Sequence, residues 1–169
     1  MTVSSETYTF GVLTLSDKGS RGEREDTSGP LLCEMLCREG YVQIDYAVIP
    51  DRHDLIVGTL RDWADERGID LILTTGGTGV APSDVTPEAT SEVVERQIPG
   101  IAEAMRHASL QKTPNAMLSR GIAGIRGNSL IINLPGSRKA ARENIEVFLP
   151  ALRHALYKIK GGSRDCGAG

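Results

Sequence analysis

Aromatic residues are scarce in this chain of 169 residues, at 4% of the total. A core must therefore be built mainly from Leu, Ile, Val and Ala, within a hydrophobic content of 40%. Cysteines are few as well: Cys33, Cys37 and Cys166 form neither a CxxC pair nor a Cys/His cluster. That excludes a disulfide framework and argues against a structural zinc site. Cys33 and Cys37 are spaced to share one helix face as small buried hydrophobes, and Cys166 belongs to an exposed tail. There is no apolar run of membrane-spanning length, and the polar stretch Met1 to Thr9 lacks the apolar segment of a secretory signal. These absences predict a cytoplasmic protein with no membrane partner. There is no excess of positive charge either; the formal net charge of −3 gives no pull toward nucleic acid. Missing too are a Walker A loop, since Gly79 is not followed by Lys and Ser/Thr, and a GxGxxG fingerprint. The length predicts a single domain over residues 1–169, with flexible ends at 1–7 and 161–169.

What the chain does have is one dense stretch, Ile69 to Glu88. Leu71 to Leu73 form a short apolar run suited to a strand covered on both faces. Thr74-Thr75-Gly76-Gly77-Thr78-Gly79 follows at the end of that strand. Glycines there let the backbone turn sharply and bring amide N–H groups close to an anion. A connection with no ligand seldom needs so many glycines and threonines together. Asp84 comes next, within reach of such a ligand. Thr86, Pro87 and Glu88 predict a helix start, as N-cap, first helical residue and first-turn acid.

The rest of the chain alternates. Tyr8 to Ser16 predicts a first, interior strand, and Asp17 to Gly29 a long charged loop of the kind that often carries function. Thr27 or Ser28 caps a helix with Leu31, Leu32, Met35 and Leu36 at helical spacing, closed at Glu39-Gly40. Tyr41 to Ile49 predicts a second strand, Pro50 to Asp54 a turn, and Leu55 to Arg67 a helix. Beyond the dense stretch, helices are predicted from Pro87 to Arg96 and from Ile101 to Leu110, separated by Ile98-Pro99-Gly100. Pro114 to Arg120 is a connection. Gly121 to Arg126 and Leu130 to Leu134 are two strands joined at Gly127-Asn128. A helical pattern from Arg138 to Lys160 should kink or split at Pro150. This order predicts a three-layer α/β/α fold whose central sheet is mostly parallel, with an antiparallel strand near one edge.

In an open parallel sheet, ligands bind beyond the carboxyl ends of the strands. Ser16-Asp17, Pro50-Asp51, Thr74 to Gly79 and Asn133 to Ser137 all fall there. Asp17, Asp26, Asp51 and Asp84 thus share a rim with two glycine loops. Amides for phosphate oxygens and acids for a metal suit a phosphorylated ligand with Mg²⁺. Arg120, Arg126, Arg138 and Lys139 are candidates for countercharge. Each residue also has an ordinary use. Asp17 can end a strand, Asp26 can cap a helix beside Thr27, Asp51 and Asp54 can cap the next one, and Asp84 can be a turn residue. Arg138 and Lys139 can be a solvated first helical turn. His53, His107 and His154 show no ligand spacing and read as surface or structural. The residues alone lead to a phosphate- or nucleotide-binding α/β domain.

Together the motifs resemble the molybdenum-cofactor biosynthesis family, which includes bacterial MogA and MoaB and gephyrin-like G domains. The resemblance covers about Phe10 to Lys160. It rests on Leu15-Ser16-Asp17, Asp26 with Ser28-Gly29, Pro50-Asp51, Thr75-Gly76-Gly77-Thr78-Gly79 and Asp84-Val85-Thr86-Pro87-Glu88-Ala89. Pro99-Gly100, Leu118-Ser119-Arg120 and Asn133-Leu134-Pro135-Gly136 also match. It implies the molybdopterin-binding fold, assembled as a homotrimer or, in some MoaB-like members, a hexamer. It also implies molybdopterin adenylyltransferase activity, in which molybdopterin and ATP give adenylyl-molybdopterin and pyrophosphate with Mg²⁺. By resemblance Asp51 and Asp84 are the catalytic acids and the Mg²⁺ ligands, and Asp26 is a third acid at the site. Thr75 and the Gly76 to Gly79 turn, Ser109, Ser119 with Arg120, and Asn133, Pro135, Gly136 and Ser137 match positions that hold the pterin, its phosphate or the nucleotide. Ser16 and Asp17 join them on the rim. The alternative is a MoaB-like molybdopterin-binding protein without catalysis. Val85-Thr86 agrees with the adenylylating branch. Ser83, where active members often carry Arg, departs from it, and Ser137 to Ala140 resembles the MoaB side.

Overall fold

The computed structural model describes residues 6–163. The strands are β1 (Thr9–Leu15), β2 (Val42–Ile49), β3 (Leu71–Thr75), β4 (Arg96–Gln97), β5 (Ala123–Arg126) and β6 (Ser129–Leu134). They form one sheet in the order β2-β1-β3-β6-β5-β4. β2, β1, β3 and β6 run parallel, β5 is antiparallel to β6, and β4 is antiparallel to β5. The helices are α1 (Asp17–Ser20), α2 (Ser28–Arg38), α3 (His53–Arg61), α4 (Thr86–Val93), α5 (Pro99–Leu110) and α6 (Arg138–Ile159).

Side-chain alternation along the strands divides the core in two. Phe10, Val12, Leu71, Leu73, Leu130 and Ile132 face α2, α5 and α6, where Leu36, Met105, Ile145 and Phe148 meet them. Leu13, Ile72 and Ile131 point the other way, onto Ile56, Leu60, Trp63 and Val93 of the α3–α4 layer. All of β3 is buried, which is why Leu71 to Leu73 are apolar in succession rather than alternating, before Thr74 and Thr75 end the strand. The three-layer α/β/α arrangement read from the sequence is the one observed. Among the described residues, no helix is long and apolar enough to cross a membrane.

The departures are local and physical. The loop predicted over Asp17 to Gly29 contains α1, which the Ser16 side chain caps by accepting from the Gly19 amide at 2.9 Å. The helix predicted over Leu55 to Arg67 starts at His53 and widens into a π-helical turn, Asp62–Glu66, that buries Trp63. Thr86 lies inside α4 rather than capping it, and Val85 takes the cap position. The helix predicted up to Arg96 ends at Val93, and Arg96–Gln97 instead add the short strand β4 beside β5. Two exposed polar residues offer no periodicity from which to read a strand. α6 runs through Pro150 as one helix of 22 residues. Pro150 is exposed, so its missing N–H falls on the solvent side. Cys33 is buried as expected, but Cys37 is exposed. The first residues of the Gly-rich tail are not loose: the Gly161 and Gly162 amides close α6 onto Lys158 and Tyr157 carbonyls. Cys166 and the remainder of the tail lie outside the described residues.

Candidate active site

The connection from β1 leads to β2 on one side, while β3 lies on the other side of β1. The sheet therefore reverses its strand order between β1 and β3, and a crevice opens at their carboxyl ends. In register, Thr14 of β1 pairs with Thr75 of β3, and Thr75 with Leu134 of β6. The three following loops thus begin at one level.

The turn after β3 is held by contacts that only glycine permits. Gly76 (φ +104°) and Gly77 (φ +66°) occupy the left-handed half of backbone space. A Cβ on Gly76 would lie 2.4 Å from the Leu15 carbonyl oxygen, and one on Gly77 would lie 2.3 Å from Thr86 Oγ1. Thr86, fully buried, donates its hydroxyl to the Gly76 carbonyl at 2.9 Å, and its amide donates to the Gly77 carbonyl at 3.2 Å. Thr75 donates its hydroxyl to the Pro135 carbonyl at 2.7 Å, and Ser28 donates its own to the Gly136 carbonyl at 2.8 Å. These bonds tie the glycine turn, the loop after β6 and the start of α2 into one rigid rim.

Two clefts flank the turn. The first, of about 520 Å³, is polar; Ser16, Asp26, Asp51, Thr75, Gly76, Gly77, Asp84, Gly136 and Ser137 line it. The second, of about 340 Å³, is mostly apolar and takes Thr78 and Gly79 from the same turn. Ser109, Ser119 and Pro135 line it as well. Gly76 to Gly79 is the ridge between the two.

Asp51 and Asp17 are bound reciprocally. The Asp17 amide donates to Asp51 Oδ2, and the Asp51 amide donates to Asp17 Oδ1, both at 3.0 Å. Burial pushes the Asp51 carboxyl above the ordinary range; the Asp17 amide opposes this, and the Asp17 and Asp84 charges add to it. Asp84 accepts from the Ala81 amide at 2.9 Å through Oδ2. Asp51 and Asp84 thus each give one oxygen to a rim amide. Asp26 differs. It accepts from the Thr14 and Tyr46 hydroxyls, both at 2.6 Å, and from the Ser28 and Gly29 amides at 3.0 and 3.2 Å. Burial alone would raise its carboxyl, but these four donors outweigh it and hold it below the usual range. Thr27 holds the cap position of α2 without a side-chain bond, and Asp26 accepts the first amides in its place and buttresses the wall.

Residues 11–154 match the family model described as "probable molybdopterin binding domain". The chain belongs to the molybdenum-cofactor biosynthesis family. It is 44% identical over 158 residues to the molybdopterin adenylyltransferase of Helicobacter pylori strain J99, covering 92% of this chain and 90% of that protein. It is also 44% identical over 155 residues to the molybdenum cofactor synthesis protein cinnamon of Drosophila melanogaster. That match covers 91% of this chain but only 26% of cinnamon, about a quarter of its length. Among solved structures, MoaB of Thermus thermophilus superimposes with a TM-score of 0.87 at 53% identity, covering 92% of this chain and 98% of that one.

Not every residue expected to bind as a family site faces a cleft. Asn133 is buried, and its amide donates to Thr74 Oγ1 and Thr90 Oγ1, both at 2.9 Å, while its oxygen accepts from the Ile122 amide. It fixes β6 to β3 and α4. Arg120 does not project charge into the polar cleft. Its Nε donates to the Gly79 carbonyl at 2.7 Å, its Nη2 to the Asp84 carbonyl at 2.6 Å, and it pairs with Glu88. It clamps the loop that carries Asp84. Arg126 pairs with Asp65, away from both clefts. Asp17 reaches the site through Asp51, and Ser137 accepts from the Ala140 amide to cap α6. Ser83 is exposed in the loop before Asp84. Asn144, Arg106 and Lys112 line the apolar cleft and are absent from the sequence-based expectation. Asn144 carries a signal, a polar residue among Ala141, Ile145 and Phe148 on the core face of a helix. Arg106 and Lys112 carry none.

Proposed function

We propose that this chain is a molybdopterin adenylyltransferase, which joins molybdopterin and ATP to give adenylyl-molybdopterin and pyrophosphate. The observation that carries the reading is the pair Asp51 and Asp84 in a polar cleft at the strand-order reversal, separated by one glycine turn from an apolar cleft. The Helicobacter pylori relative bearing that activity's name supports it. A flat heteroaromatic pterin suits the apolar cleft, whose polar groups include Ser109, Ser119 and Asn144. The nucleotide suits the polar cleft.

The ridge between them then places the phosphate of the first ligand against the α-phosphorus of the second. A phosphate monoester is largely dianionic at neutral pH, with a second pKa of about 6, so no strong general base is required. Its oxygen forms a bond to the α-phosphorus, the bond from that phosphorus to the bridging oxygen breaks, and the electron pair leaves with pyrophosphate. The protein's task is alignment and charge compensation. The residues fit a Mg²⁺ ion. Burial raises the Asp51 carboxyl and the charges of Asp17 and Asp84 add to it, and two carboxylates completed by substrate phosphates and water are a usual Mg²⁺ set. When bound, Mg²⁺ neutralises charge developing on the leaving group. Asp17 holds Asp51 through its amide, Arg120 holds the loop of Asp84, and Asp26 holds the wall. The family resemblance supports action in the cytoplasm as a homotrimer.

A second reading, molybdopterin binding without turnover, draws on the 53% identity to the Thermus MoaB structure. Mass spectrometry of wild-type protein incubated with molybdopterin, ATP and Mg²⁺ separates the two. Adenylyl-molybdopterin is expected. Bound molybdopterin left unmodified would select the second reading.

A further inference from the structure

Two arginines line the polar cleft from different walls. Arg24 comes from the loop between α1 and α2, and Arg138 is the first residue of α6. Several other exposed arginines sit against carboxylates, as in Arg21–Glu23, Arg38–Glu34 and Arg52–Asp54, while Arg153 donates to the Glu39 carbonyl. The Arg24 and Arg138 side chains have no ion pair or hydrogen bond among the described residues, although Glu25, Asp26, Asp51 and Asp84 line the same cleft. Neither arginine figures among the groups that perturb Asp26 or Asp51. The cleft's cations are therefore not used to balance its own acids.

The charge count shows what they are available for. With four acids and two arginines the lining carries a net charge of −2 when all are ionised. A Mg²⁺ ion held by Asp51 and Asp84 would bring that lining only to neutrality, so a polyphosphate still needs positive groups that meet it directly. Arginine is suited to this, because its planar fork binds phosphate oxygens in pairs and stays charged. Arg138 also stands at the N-terminus of a helix of 22 residues, where the backbone dipole adds positive potential.

We infer that Arg24 and Arg138 clamp the terminal phosphates of the nucleotide, the group that departs as pyrophosphate. The inference rests on the adenylylation reading above. When the bond between the α-phosphorus and the bridging oxygen breaks, the electron pair stays on that oxygen, and the two guanidinium groups face the charge it brings. The clamp makes the site specific for a nucleoside triphosphate over a monophosphate.

The test is calorimetric titration of the full chain with inorganic pyrophosphate, ATP and AMP, for wild type, Arg24→Gln, Arg138→Gln and the double variant. Both positions are exposed, so thermal midpoints should be unchanged. Each single substitution should weaken pyrophosphate and ATP binding about tenfold, as expected for losing a charged hydrogen-bond donor. The double variant should lose more, with AMP affinity held within about twofold. Unchanged ATP and pyrophosphate affinity, equal weakening of AMP, or no wild-type binding of either probe would overturn the clamp. So would a double variant that loses molybdopterin and keeps ATP, because the arginines would then serve the monoester phosphate. If the double variant adenylylates molybdopterin with a wild-type KM for ATP, the clamp falls and the adenylylation reading stands. If pyrophosphate binding depends on both arginines but no adenylyl-molybdopterin forms, the clamp stands and the reading falls.

Discussion

Asp51 is held in a place that opposes its own charge. Burial and the charges of Asp17 and Asp84 disfavour ionisation, and only the Asp17 amide favours it. A carboxyl whose folded pKa is raised contributes stability below its unfolded pKa and loses it as pH rises through the folded value. At neutral pH the ionised Asp51 therefore destabilises the fold. Asp51→Asn should raise the thermal midpoint at pH 7 while lowering turnover on the order of 10² to 10³-fold, the usual loss for one preorganised electrostatic group. A midpoint that falls, measured by scanning calorimetry, would contradict this. Asp17→Asn keeps an Oδ1 for the Asp51 amide but removes a like charge. It should lower the Asp51 pKa, so the acid limb of kcat/KM against pH should move to lower pH. A limb that stays in place or moves up would count against the assignment. At this scale the sequence is half legible. The rim position of all four acids follows from the strand ends. The different use of Asp26 does not, because it depends on Tyr46, a residue 20 positions away on β2.

At the scale of elements, the glycine turn and α4 work as one piece. Gly77 carries a positive φ, and a Cβ there would press on Thr86 Oγ1 and come within 3.1 Å of Asp51 Oδ1. Gly77→Ala should therefore destabilise the fold by about 1–3 kcal/mol and reduce turnover by displacing Asp51. Urea denaturation and a turnover assay check the two halves; a variant with wild-type stability would show that the turn is not held as described. The glycines announce such a turn in the sequence, since glycine reaches these angles without strain. Thr86 reads as a cap in the sequence because threonine before Pro87 is common there; its bond to Gly76 spans the turn and leaves no local pattern. Arg120 misleads in a similar way. Positive charge near a glycine loop suggests phosphate, and only tertiary contacts reveal that the Gly79 and Asp84 carbonyls and Glu88 already engage it.

At the scale of the molecule, the sheet puts the site where its strand order reverses, and the sequence reveals that edge through apolar runs that end in polar glycine loops. It does not reveal two clefts. The apolar one is built from α5, the segment after it and α6, elements far apart in the chain whose packing no local spacing encodes. In the proposed reaction each ligand takes its own pocket, with the reacting atoms at the ridge between them. Asp84 stands in the polar cleft at the end of the loop that Arg120 clamps. The most direct test is pyrophosphate release on mixing enzyme with ATP, molybdopterin and Mg²⁺, compared between wild type and Asp84→Asn across a Mg²⁺ titration. The account predicts molybdopterin-dependent release by the wild type, and a rate about 10² to 10³-fold lower in the variant that no longer responds to Mg²⁺. Full turnover by Asp84→Asn with an unchanged Mg²⁺ dependence would contradict it.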